Sequence, residues 1–194
     1  TLLASSAASD VYKRQMKKML AMLLAVLTLC FGAAAMAESV PEVDDAAEQA
    51  ALTDLTANGQ LIEGDGFQFY IPADWEAAEL TDEETEAGYV FAAASADEAN
   101  QLIITYQALD AAKTAEEVQP GLAEVYPTAT VMDLNGTSVV AFHDADEDVL
   151  GIVVMDTVDP GYYIFMFTPA SDADFLPVAD AIAASYTCLL YTSD

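Results

Sequence analysis

Basic residues are almost missing from this chain. Its 194 residues include five Lys and Arg against 33 Asp and Glu, with one His, one Trp and two Cys. A surface so short of cations repels phosphate backbones and anionic headgroups, so neither nucleic acid nor an anionic membrane is an expected partner. Neither a Walker-type glycine loop nor a dinucleotide-binding glycine motif occurs, which removes the usual routes to phosphate binding. With one histidine, His143, a His-rich metal site cannot be assembled. What the chain has instead is acid, apolar residues and aromatics: 54% of residues are hydrophobic, with nine Tyr and eight Phe, which points to a folded core rather than disorder.

The two ends read differently from the middle. Residues 5–15 and 188–194, read back into codons, resemble the two strands of a transposon-end adapter used in library preparation. Residues 1–15 and 188–194 are therefore expected to be adapter-derived and are set aside. From Met16, Lys17-Lys18, an apolar run over 19–31 and small residues at Ala35 and Ala37 make residues 16–37 a secretory signal, with cleavage expected after Ala37. The run is short for a bilayer span, so no stable membrane anchor is expected in the mature chain. Leu29 before Cys30 speaks against lipidation. Residues 38–187 then hold 31 acidic residues and a single cation, Lys113, a formal charge near −30. With Cys30 in the signal and Cys188 in the tail, this exported domain would have no disulfide and would depend on packing alone.

Residues 38–57 are acidic and alanine-rich, and are read as a mobile leader with a short helix over Ala46 to Leu55. A single domain is expected over 58–187. Phe67, Phe69 and Ile71 alternate along a strand that ends at Pro72. Further strands are expected over Gly88 to Ser95 and Gln101 to Leu109. Thr114 and Glu117 form a capping box for a helix striped by Val118, Leu122 and Val125, with Pro120 expected to kink it or break its first turn. Asn135-Gly136 between two apolar runs is a hairpin signal. Val149 to Met155 and Tyr162 to Phe167 are apolar on both faces, as in strands at the centre of a covered sheet. Ser171 to Asp174 opens a last helix striped by Phe175, Val178, Ala179, Ile182 and Tyr186. Hairpin connections dominate, so the fold class is α+β with a mainly antiparallel sheet.

Gly66-Phe-Gln-Phe-Tyr-Ile-Pro-Ala-Asp-Trp75 resembles the opening of PsbP-like domains, in which Gly-Phe-x-Phe leads into Pro-x-x-Trp. The segment from Ile182 to Tyr186 is similar to their closing helix. The resemblance covers roughly residues 58–187 and implies an α/β/α sandwich with helices on both sheet faces. It also implies a binding or accessory role rather than catalysis.

No catalytic or cofactor-binding residue is assigned from the sequence. His143 beside Asp144 could be a base oriented by a carboxylate, or a polar residue at a strand end. Asp144, Asp146 and Asp148 match the acidic start of a calcium loop, but Val149 stands where its glycine should be and Met155 where its bidentate Glu should be. They remain candidates for weak calcium binding only. The run Asp82 to Glu86 is read as a solvated loop. Trp75, Tyr89, Tyr106 and Tyr162 could line a sugar- or peptide-binding groove, or simply be core. The expected function is an exported, acidic, non-enzymatic module with a protein or small-molecule ligand. The alternatives are a carboxylate hydrolase, needing two buried acids in one cleft, and a weak calcium-binding surface protein.

Overall fold

A computed structural model describes residues 39–64 and 66–188. Residues 1–15, expected to be adapter-derived, residues 16–37, expected to be a secretory signal, and residues 189–194 lie outside the described residues. Seven strands form one antiparallel sheet: β3 (Glu76–Ala77), β4 (Tyr89–Ala94), β5 (Gln101–Ala108), β9 (Gly161–Thr168), β8 (Val149–Met155), β7 (Thr137–Asp144) and β6 (Thr130–Leu134), in that spatial order. The two strands that are apolar on both faces, β8 and β9, sit side by side in its interior. A second sheet, ordered β1 (Gln60–Glu63), β2 (Phe67–Ile71) and β10 (Thr187–Cys188), packs over one face.

That face carries the larger core. Phe69 and Ile71 of β2 meet Leu102, Ile104, Phe165 and Phe167 of the large sheet, with helix α4 (Leu176–Ala184) adding Ala179 and Ile182. Phe69 sets its ring edge-on to Phe165 at 5.7 Å between centroids, a geometry aromatic pairs favour. The opposite face holds Val140, Phe142 and Val153 under helix α3 (Ala115–Ala123) and its following loop, where Tyr126 stacks on Phe142 at 3.9 Å. Helices thus cover both faces of a mainly antiparallel sheet, and the domain is an α+β sandwich. Among the described residues no helix is long and apolar enough to cross a membrane.

Several local expectations hold for the reasons given. Asn135 and Gly136 both have positive φ, 50° and 84°, as a tight two-residue hairpin requires. At the start of α3 the Glu117 carboxylate accepts from the Thr114 backbone N–H at 2.9 Å. The helix continues from Ala115 to Ala123 with Pro120 inside it, so its first turn is not broken there.

Three expectations need correction. The leader is not separate from the domain: helix α1 (Asp45–Asn58), capped by Asp44, buries Leu55, and Val40, Val43, Ala51 and Leu52 pack against the larger core. Residues 82–86 are not a loop but a one-turn helix, α2 (Asp82–Glu86). There Thr81 and Glu84 form a reciprocal capping box that leaves Glu84 only 6% exposed. The last helix starts at Leu176 rather than after Ser171, because Asp172 spends its carboxylate on the Asp174 N–H in a preceding turn and Pro177 enters in the first helical turn.

Candidate functional site

A cleft of about 510 Å³ opens where the small sheet, the β8–β9 turn and the α2–β4 corner meet. Its floor is a cross-strand pair. Tyr106 of β5 lies directly opposite Tyr163 of β9, with ring centroids 4.8 Å apart. Phe67 reaches over from β2 and places its edge against Tyr163 at 5.2 Å, joining the two sheets through the site. Leu80 and Thr85 come from the α2 corner, and Asp156, Val158 and Asp159 come from the β8–β9 turn.

Two backbone features set this arrangement. First, the β4–β5 ladder pairs Tyr89 with Thr105 and then Phe91 with Ile104, so Val90 is an extra residue on β4. Such a bulge breaks the alternation of the strand and re-aims side chains. Neighbouring residues Tyr89 and Val90 consequently both line the cleft. Second, aromatic walls rest directly on glycines. A Cβ at Gly161 would collide with the phenol of Tyr106, and one at Gly64 would collide with the ring of Phe67. Only glycine lets the rings lie this close to the backbone.

The electrostatics are one-sided. Among the described residues, Asp156 and Asp159 are the only charged ones lining the cleft. Asp156 Oδ1 accepts the backbone N–H groups of Val158 at 2.8 Å and Asp159 at 3.2 Å, which folds the turn onto its own carboxylate. The phenols are held neutral: burial pushes the pKa values of Tyr106 and Tyr163 up, and Asp156 pushes both further. Tyr89 shifts upward for a similar reason, burial first and the nearby Glu84 second. Among the described residues, the site therefore sets neutral aromatic rings beside carboxylates and no cation.

Of the four aromatics expected to form a groove, Tyr89 and Tyr106 are brought together here. Trp75 is core and packs on Phe175 at 5.9 Å, and Tyr162 lies against the α3 side of the sheet. Tyr163, adjacent in sequence, occupies the site instead. A smaller cavity of about 130 Å³ between β7, β8 and α4 is lined largely by apolar residues and by Cys188, which the sequence places in the adapter-like tail.

The other sequence candidates lie elsewhere. His143 is half-buried at the end of β7, where its backbone N–H donates to Thr128 Oγ1 and its carbonyl accepts from the same hydroxyl, both at 2.8 Å. Its ring Nδ1 has no hydrogen-bond partner among the described residues, so Asp144 does not orient it as a base. Asp144 instead accepts from Asp146 and Glu147 N–H groups within its own turn. Asp148 clamps Ser171, accepting its N–H at 2.7 Å and its hydroxyl at 2.8 Å. Among the described residues, no three His, Cys, Asp or Glu side chains converge as a metal site. The two carboxylates buried among the described residues, Glu84 in α2 and Asp180 in α4, lie outside the cleft lining.

Comparison with known proteins bears on the fold. No family model matches the chain, and no curated protein sequence matches it. Among solved structures, cyanobacterial PsbP (CyanoP) from Synechocystis sp. PCC 6803 superposes with a TM-score of 0.50 at 14% identity, over 69% of this chain and 94% of that one. The fold is PsbP-like. A protein of Bacteroides thetaiotaomicron also superposes, with a TM-score of 0.51 at 12% identity over 70% of this chain. The chain spans only 50% of that protein's length. At such identities the likeness is one of architecture, and the PsbP-like sandwich leaves the chemistry to be argued from the cleft.

Proposed function

We propose that this PsbP-like domain is an exported, strongly acidic, non-enzymatic binding or accessory module that holds its ligand in the Tyr106–Tyr163 cleft. The observation that carries the reading is the convergence of Phe67, Tyr89, Tyr106 and Tyr163 from four strands of the two sheets onto one open cavity. Its volume lies in the range of small-molecule sites, which are mostly apolar with a few placed polar groups. Export is supported by the Lys17-Lys18 and apolar signature ahead of Ala37. A hydrolase would need a pair of facing acids in a cleft, and here the acids of the cleft share a single turn.

The test is an amide NMR titration of the chain with three probes of different chemistry: a methyl glucoside, a short proline-rich peptide and choline. Shifts centred on Tyr106, Val158 and Gly161 with any probe support the reading. No shift in the cleft with any of them, or turnover of a chromogenic glycoside or ester substrate that is lost on Asp156→Asn, overturns it.

A further inference from the structure

We infer that the cleft receives an organic ammonium group, a positive nitrogen jacketed in carbon, rather than a sugar, an anion or a bare metal ion; this rests on the cleft being the binding site. Three observations point the same way. The walls are aromatic, with Tyr106 and Tyr163 paired at 4.8 Å and Phe67 packed on Tyr163 at 5.2 Å. An aromatic face carries negative quadrupole potential and attracts a cation placed over it. Among the described residues, the charges lining the cleft are the carboxylates of Asp156 and Asp159, both of the sign that completes such a site. Beyond the cleft, 31 acidic residues face one Lys113 across residues 38–187, so the field of the whole domain concentrates cations and excludes anions.

The same features disfavour the competitors. A sugar needs several fixed donors and acceptors around its hydroxyls, and among the described residues the cleft's only polar side chain apart from the carboxylates and phenols is that of Thr85. A divalent ion needs six or more oxygens, whereas Asp156 Oδ1 already accepts two backbone N–H groups and its neighbours in the cleft are aromatic. A methylated ammonium matches both halves of the site, its carbon surface against the rings and its charge toward the carboxylates.

The experiment compares choline with 3,3-dimethylbutan-1-ol, its uncharged carbon isostere, by titration calorimetry and amide NMR on the full chain at low ionic strength. Choline is expected to bind at least tenfold more tightly than the isostere, with shifts at Tyr106 and Gly161. Tyr106→Leu should weaken choline about tenfold while Tyr106→Phe, which keeps the π face, should not. The double variant Asp156→Asn/Asp159→Asn should weaken it severalfold, and Asp144→Asn/Asp146→Asn, equal in charge but remote, should not. Equal binding of the isostere overturns the cation inference and leaves the cleft as a binding site. Equal losses from the two acidic double variants overturn it too, by reducing the effect to the general field. Binding of neither compound while the glucoside or peptide shifts the cleft overturns the ammonium reading alone. Silence from every probe overturns both readings.

Discussion

Two acidic sites in this molecule use the same side chain for opposite ends. In the cleft, Asp156 and Asp159 sit on a half-open turn, where backbone N–H groups and solvent are at hand to support a charge. Between the helices, Asp180 of α4 is 5% exposed and faces Glu48 of α1. Burial, and then Glu48, push the Asp180 carboxyl up to about 7. Glu48 is itself pushed up, by burial first and then by Asp45 and Asp133. The lesson is that in a chain this acidic, position decides whether a carboxylate is an asset or a load. At a turn it can offer charge to a ligand, whereas under a helix it holds its proton instead.

The largest expected effect comes from the helix pair. Because the folded pKa of Asp180 lies above its unfolded value of 3.8, the native state binds more protons between about 4 and 7. Stability is therefore greatest at the low end of that window and is lost as pH rises through 7. Three pKa units correspond to about 4 kcal/mol. Asp180→Asn should raise the melting temperature at pH 8 and flatten its dependence between pH 5 and 8. A parent protein that melts higher at pH 8 than at pH 5 would contradict this.

Next comes the cleft wall. Gly161→Ala drives a Cβ into Tyr106, and overpacking of this kind costs about 1–3 kcal/mol. Urea unfolding should show that loss with an unchanged slope, and the NMR signals of the cleft should move while those of α3 stay in place. A smaller effect is expected from Thr81→Ala, which removes one half of the α2 capping box and should cost about 1 kcal/mol. The smallest concerns ions. Sodium chloride should raise the melting temperature by screening like-charge repulsion, and calcium at equal ionic strength should add nothing if the turn at Asp144, Asp146 and Asp148 holds no site. Extra stabilisation by calcium that disappears in Asp146→Asn would restore that turn as a metal site.

Much of the sandwich was legible because its signals are local. The Asn135-Gly136 hairpin, the Thr114 capping box and the two-faced apolar runs of β8 and β9 each lie within a few residues of sequence. The α2 capping box was equally local, and Thr81-Asp-Glu-Glu84 could have been read; its acidity disguised it as a solvated loop. The cleft was only half legible. Tyr162 and Tyr163 sit on a strand that is apolar on both sides, so periodicity cannot choose between them. What chooses is the pairing of Tyr163 with Tyr106, residues 57 apart in sequence. The packing of α1 was obscured for a related reason: Leu55 is its only buried residue, too weak a stripe to stand out among alanines and acids.

The bulge at Val90 gives the cleft an unusual genetic fragility. Loss of a single codon there would restore the strict alternation of β4 while leaving Tyr89 opposite Thr105 and Phe91 opposite Ile104. The sheet could still form its ladder. Tyr89 would stay in the cleft lining without Val90 beside it, so a relative lacking that one residue would keep the architecture of this molecule around a differently walled cleft.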